Sequence, residues 1–167
     1  MLPIYCSIVF ISLSKSNTEK QNLSKFDVFV LASIVDKEAS HIDEMPTISG
    51  LYLNRLKKGW ALGADPTIIY VWKQKHNKLI RRVRDKHIRS TSESPFNTYY
   101  HEGLPPFPIC VPSFQAIESV LFPEEHGYMY MCARADDSEY HNFSDNHFDH
   151  QQNADAFHRW LNQRKIY

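Results

Sequence analysis

Between Asp27 and Ser40 the apolar side chains Val28, Leu31, Ile34 and Val35 recur at three- and four-residue intervals. That is the period of a helix with one face turned inward, and it predicts an amphipathic helix over residues 28–40, with Asp27 placed to cap its start. Glu38 continues the apolar row, while Ser33, Asp36, Lys37 and Ser40 gather on the opposite side. Lys37 is therefore badly placed to neutralise Glu38, and Asp36 to serve it as a second carboxylate. A lone carboxyl desolvated against apolar neighbours has its charged form disfavoured and keeps its proton near neutrality.

Such a proton suits cleavage of a glycosidic bond, where the leaving oxygen must be protonated as an oxocarbenium-like transition state develops. The usual scheme needs two carboxylates. With one, the sugar itself must supply the nucleophile, through its 2-acetamido group or its C6 hydroxyl, and the same glutamate can then act as base. The spacing alone also admits a plainer reading, a glutamate at a helix end reaching solvent.

The rest of the chain reads as a mixed α+β domain. A second helix is predicted after Asp43, with Pro46 in its first turn, running through Ile48, Leu51, Tyr52 and Leu56 to a stop at Gly59. From Trp60 to Pro112 the density of glycine and proline predicts ordered loops with short elements. Within them, Leu79 to Arg89 is strongly basic and reads as a solvated face. Ser113 should cap a short helix that carries Ile117, Val120 and Leu121 inward and stops at Pro123. Tyr128–Ala133 and Tyr140–Phe143 predict a β-hairpin across the turn 136–139, and a last helix carries Ala154, Phe157, Trp160 and Leu161 on one face.

A length of 167 residues and a hydrophobic content of 43% fit one folded core. Nineteen basic against nineteen acidic side chains leave no net field for a polyanion, so nucleic acid is not an expected partner. Cys6, Cys110 and Cys132 are odd in number and lack CxxC spacing, and they read as small apolar residues. Upstream, Leu2–Leu13 is an apolar run shorter than a membrane helix and without a preceding basic residue, either a degenerate leader or an element covering the core edge. We place the boundary near residue 25: residues 1–25 are a leader or linker, and 26–167 the domain proper.

Five strings in order carry a family resemblance: Leu31-Ala-Ser-Ile-Val-Asp-Lys-Glu38, Tyr52-Leu-Asn-Arg-Leu56, Ala64-Asp-Pro-Thr-Ile-Ile-Tyr70, Ser94-Pro-Phe-Asn-Thr-Tyr99 and Gly103-Leu-Pro-Pro-Phe-Pro-Ile109. Together they resemble the YceG-like, MltG-type endolytic murein transglycosylases. The resemblance implies cutting of peptidoglycan glycan strands between MurNAc and GlcNAc to leave 1,6-anhydroMurNAc ends, with no metal or organic cofactor. The family's catalytic glutamate falls on Glu38, and the first acid of its E-K-E string on Asp36. A location at the periplasmic face of the inner membrane and partnership with cell-wall synthases are implied in the same way.

On these strings Asn54, Arg55, Asp65, Thr67, Ser94, Asn97, Thr98 and Tyr99 are candidate substrate-binding residues. Their amides, hydroxyls and charges suit acetamido and hydroxyl groups, and Tyr99 suits a sugar face. Structural roles compete: Asp65-Pro-Thr as a turn cap, Arg55 as a brace, Ser94-Pro-Phe-Asn as loop chemistry. The chain departs from the family pattern at Phe107, where glycine is usual and a ring is expected to narrow the groove or replace a turn. It departs again at His150-Gln151, where an H-N pair is usual. The family's upstream anchor and LysM-like domain find no room here, which suggests a truncated member.

Two rivals stand beside the enzyme. One is a metal-dependent hydrolase using His141, His147, Asp149 and His150, whose spacing matches no HExxH string. The other is a glycan-binding module descended from the enzyme.

Overall fold

The computed structural model describes residues 21–80 and 82–164. The apolar run Leu2–Leu13 and Cys6 lie outside them, as does Arg81 of the basic stretch.

Helix α1 spans Lys25–Glu38 and begins with a capping box. The Ser24 hydroxyl accepts from the backbone N–H of Asp27, and the Asp27 carboxylate accepts in return from the N–H of Ser24. Ser24 is thus the cap, and Asp27, expected in that role, sits three residues inside. The expected one-sided stripe is also corrected, because every residue from Val30 to Val35 is buried. The face carrying Ser33 and Asp36 is covered by the segment 107–113, which runs along it. Ser33 Oγ accepts from the N–H of Ile109, and Asp36 Oδ1 from the N–H of Ser113, each at 3.0 Å. Ala32 and Ser33 are small enough to let neighbours close around the helix, so α1 is a central element and not a surface one.

After a 3-10 turn at Ile42–Glu44, helix α2 (Met45–Lys57) carries Pro46 in its first turn, and Gly59 beyond its end has φ +65°. Helix α3 (Asp65–His76) occupies a stretch expected to be loop. Pro66 marks its start: at the first helical positions proline costs no hydrogen bond and its φ is already helical. Helix α4 (Asp85–Ser90) carries part of the basic stretch, and helix α5 (Phe114–Leu121) is capped by the Ser113 hydroxyl as expected.

Strands β1 (Tyr130–Ala133) and β2 (His141–Ser144) pair antiparallel, with Tyr130 opposite Ser144 and Ala133 opposite His141. Helix α6 (His147–Gln163) packs on both strands, and its capping residue is Asn146. The α+β prediction holds.

The core joins α1, α2 and α5 through Leu31, Ile34, Val35, Ile48, Leu51, Tyr52, Ala116 and Val120. Tyr128, Met131 and Phe143 dock the hairpin against this core. A second tie fixes the hairpin to the turn after α1. Glu44, buried, accepts from the backbone N–H of His141 at 2.8 Å and pairs with its Nδ1 at 2.9 Å, and His41 stacks on Tyr140 at 3.9 Å. The fold thus brings the C-terminal end of α1, the start of α3 and the hairpin to one side of α2. Among the described residues no helix is long and apolar enough to cross a membrane.

Candidate active site

Glu38 is the last residue of α1, half-buried as a residue, with its Oε2 closed off from solvent and without a hydrogen bond among the described residues. Burial pushes its pKa up to about 8, the charge of Asp65 pushes the same way, and Arg55 pulls against both. At neutral pH the proton-bearing form predominates by roughly ten to one. Lys37 turns away and pairs with Asp36 at 3.3 Å.

A second carboxylate does face Glu38, which revises the reading of a lone acid. It comes from α3 and not from the same helix: Asp65 is the first residue of that helix, where Pro66 and the buried Thr67 anchor the backbone. Its Oδ1 accepts from the Tyr99 hydroxyl at 2.5 Å. Burial raises the Asp65 pKa, and the Tyr99 hydrogen bond lowers it. The Tyr99 phenol is held firmly protonated, first by burial of its hydroxyl end and then by the Asp65 charge, although the residue as a whole is 37% exposed.

Arg55 braces this arrangement. Its Nε donates to the carbonyl of Met129 at 2.8 Å and its Nη1 to the carbonyl of Leu62, tying α2 to the residue before β1 and to the loop before α3. Gly63, next to Leu62, turns the loop beside this brace. It has φ +58°, and a Cβ there would lie 3.4 Å from Arg55 Nη1 and 3.7 Å from the Tyr99 ring.

The remaining candidates make hydrogen bonds within the fold. Thr67 and Thr98 are buried and share a hydrogen bond of 2.9 Å, and Thr98 Oγ1 also accepts from the N–H of Ala64. Asn97 is fully buried: its amide donates to the carbonyl of Ile88 and to Thr91 Oγ1, and its Oδ1 accepts from the N–H of Tyr99, aiming that ring. Ser94 Oγ caps its own turn at the N–H of Phe96. Asn54 spends its amide on the carbonyls of His126 and Tyr128, at 2.8 and 3.1 Å. Thr67, Asn97 and Thr98 are thus buried within the fold, while Asn54 and Ser94 are half-buried.

Phe107 is likewise not beside Glu38. Its ring meets Phe26 edge-on at 6.0 Å, near the start of α1, and at 1.5 Å per residue this is roughly 18 Å along the helix from Glu38. The expected narrowing of the groove is therefore absent at the acid. Of the histidines of the metal reading, His147 and His150 lie with ring centroids 6.4 Å apart, both against Tyr130. His141 is committed to Glu44, while His150 stacks on Tyr130 at 5.1 Å, and among the described residues no cluster of three metal-binding side chains forms.

One residue of the site was not singled out from sequence. Tyr52 is fully buried, its hydroxyl has no hydrogen-bond partner among the described residues, and Glu38 is the charged group that most affects its titration. In sequence it is indistinguishable from a core aromatic, since it continues the apolar row of α2.

A model of the YceG-like family matches residues 9–156 of the chain. The chain belongs to that family. It is 29% identical over 126 residues to the endolytic murein transglycosylase of Bacillus subtilis strain 168, covering 75% of this chain and 33% of that protein. It is 29% identical over 144 residues to the protein of the same name from Streptococcus pneumoniae strain R6, covering 86% and 26%. The fold is similar to a solved yceG-like protein from Listeria monocytogenes, with a TM-score of 0.71 at 28% identity, over 89% of this chain and 45% of that one. This YceG-like chain thus spans about a quarter to a third of the length of the curated relatives it matches.

Proposed function

We propose that the chain is the catalytic region of an endolytic murein transglycosylase, with Glu38 as its general acid and base. The observation that carries the reading is a carboxyl at a helix end, desolvated and holding its proton near neutrality, in a YceG-like fold. Glu38 gives its proton to the glycosidic oxygen as the bond from MurNAc C1 to that oxygen breaks. The MurNAc C6 hydroxyl then closes on C1 and returns a proton to Glu38, leaving a 1,6-anhydroMurNAc end and a GlcNAc with a free C4 hydroxyl. No water is consumed and the carboxyl is restored.

Asp65 has two effects in this scheme. Its negative charge strengthens Glu38's hold on the proton before reaction, and it favours the positive charge that develops at C1. Tyr99 orients it, and Arg55 limits how much negative charge accumulates. The substrate is a peptidoglycan glycan strand, reached on the periplasmic face of the inner membrane, with cell-wall synthases as candidate partners. The relatives' name supports murein as the polymer.

The test is digestion of purified sacculi, with mass spectrometry of the soluble products. Wild-type protein should release anhydro-ended muropeptides, and Glu38→Gln should lower the yield by at least 10²–10⁴-fold, the range of general acid–base assistance. Equal yields from the two proteins would overturn the assignment, and binding of strands without any anhydro product would favour a glycan-binding module.

A further inference from the structure

Two buried oxygens of the site have no hydrogen-bond partner among the described residues, Glu38 Oε2 and the hydroxyl of Tyr52. Leaving such a group unpaired in a desolvated place is unfavourable, and each of the two calls for a reason. Several neighbouring groups are already committed. The Tyr99 hydroxyl is spent on Asp65, and Arg55 Nε and Nη1 are spent on the carbonyls of Met129 and Leu62. Thr67 and Thr98 bond to each other and to Ala64. Arg55, which acts on Glu38, lies one turn along α2 from Tyr52, and Glu38 is the charge that most affects the Tyr52 phenol.

We propose that Tyr52 is a positioning residue for Glu38: its hydroxyl donates to Oε2 when Glu38 is ionised and releases it when Glu38 is protonated. The inference rests on the reading of Glu38 as the acid, and gives the carboxylate left after proton transfer a donor that the resting site holds in reserve. A phenol suits this place because it brings a proton without a charge. A lysine or a second arginine would ionise Glu38 permanently and remove the acid.

Electrostatics couples the two groups. Burial and then the Glu38 charge hold the Tyr52 phenol far above its ordinary pKa, so it is a donor at every pH the protein meets. The charged groups that influence Glu38 are Asp65 on α3 and Arg55 on α2. Asp36 and Lys37, on α1 itself, turn to the other side.

The experiment is a carboxyl ¹³C NMR titration of Glu38 in the full chain, wild type against Tyr52→Phe, with thermal melting of both. Removing a donor to the ionised form should raise the Glu38 pKa by about one unit, a tenfold tighter proton. The Tm should be unchanged or higher, since the lost hydroxyl has no partner in the resting state. On glycan strands kcat should fall by up to about tenfold with KM unchanged, and Tyr52→Phe should cost nothing further in a Glu38→Gln background.

A second readout is independent of the variant's folding. In wild-type protein the Tyr52 ¹³Cζ resonance should move with the Glu38 midpoint, and in Glu38→Gln it should stay still. Identical Glu38 titrations in wild type and Tyr52→Phe, or a Tyr52 resonance indifferent to Glu38, would overturn the proposal. Wild-type protein inactive on glycan would refute the proposed function instead, and the titration would still decide whether this hydrogen bond forms.

Discussion

Replacing Glu38 by glutamine should change how stability depends on pH, and the sign follows from the site. In the unfolded chain Glu38 loses its proton near the ordinary value of 4.5, whereas in the folded protein it holds it to about 8. Between those values the native state binds one more proton than the unfolded state, so unfolding free energy falls as pH rises, by about 1.4 kcal/mol per unit. Below the unfolded value the stabilisation is fully present, and it is lost as pH climbs through the folded value. From pH 4.5 to 7 the loss amounts to about 3 kcal/mol, a large share of the stability of an ordinary domain. Glutamine has no proton to lose, so Glu38→Gln should be at least as stable as wild type at pH 7 and clearly more stable at pH 9. Urea unfolding of both proteins at half-unit intervals from pH 4.5 to 9 measures this. Groups common to both, such as His150, cancel in the difference curve. A flat difference curve across that range would refute a buried, proton-holding Glu38.

Two further outcomes test the neighbours. Asp65→Asn keeps an oxygen for the Tyr99 hydroxyl but removes the negative charge that raises Glu38, so the alkaline limb of the pH–rate profile should move to lower pH; an unmoved limb would mean that Asp65 does not act on Glu38. Gly63→Ala should destabilise by about 1–2 kcal/mol through its left-handed backbone, a Tm drop of about 2–8 °C, with the added methyl only in van der Waals contact with Arg55. Gly59→Ala is its control, with φ +65° and nothing within 4 Å of the added methyl; it should lose about as much, and a much larger loss at Gly63 would show that backbone strain is not the whole cause.

What could be read from residue order was whatever local chemistry dictates. The apolar period of Val28–Val35, Pro46 in a first turn, Ser113 before a short apolar row and two strand-like runs around a polar turn all act within a few residues, and each produced its element. Helix α3 escaped because proline was counted as a breaker, when at Pro66 it starts a helix. The Glu38 row was legible as a period, but not the neighbours that bury α1 on its other side, since Ile109 and Ser113 lie more than seventy residues away.

The site divides along the same line. A glutamate at the end of an apolar row could be named from the chain, and the family strings supplied the rest of the candidates. Whether a polar side chain meets substrate or spends its hydrogen bonds inside the fold depends on burial and on distant partners. Thr67, Asn97 and Thr98 are as polar as Asp65 and Tyr99, yet they are buried and bonded within the fold, whereas Asn54 and Ser94 are only half-buried. Residue type and spacing therefore offered Glu38 as a candidate acid, and the family strings singled it out. Packing of α1 against α2 and α3 supplied the desolvation, the Asp65 charge and the unpartnered Tyr52 hydroxyl, because a pKa is set by what surrounds a group in space and not by what flanks it along the chain.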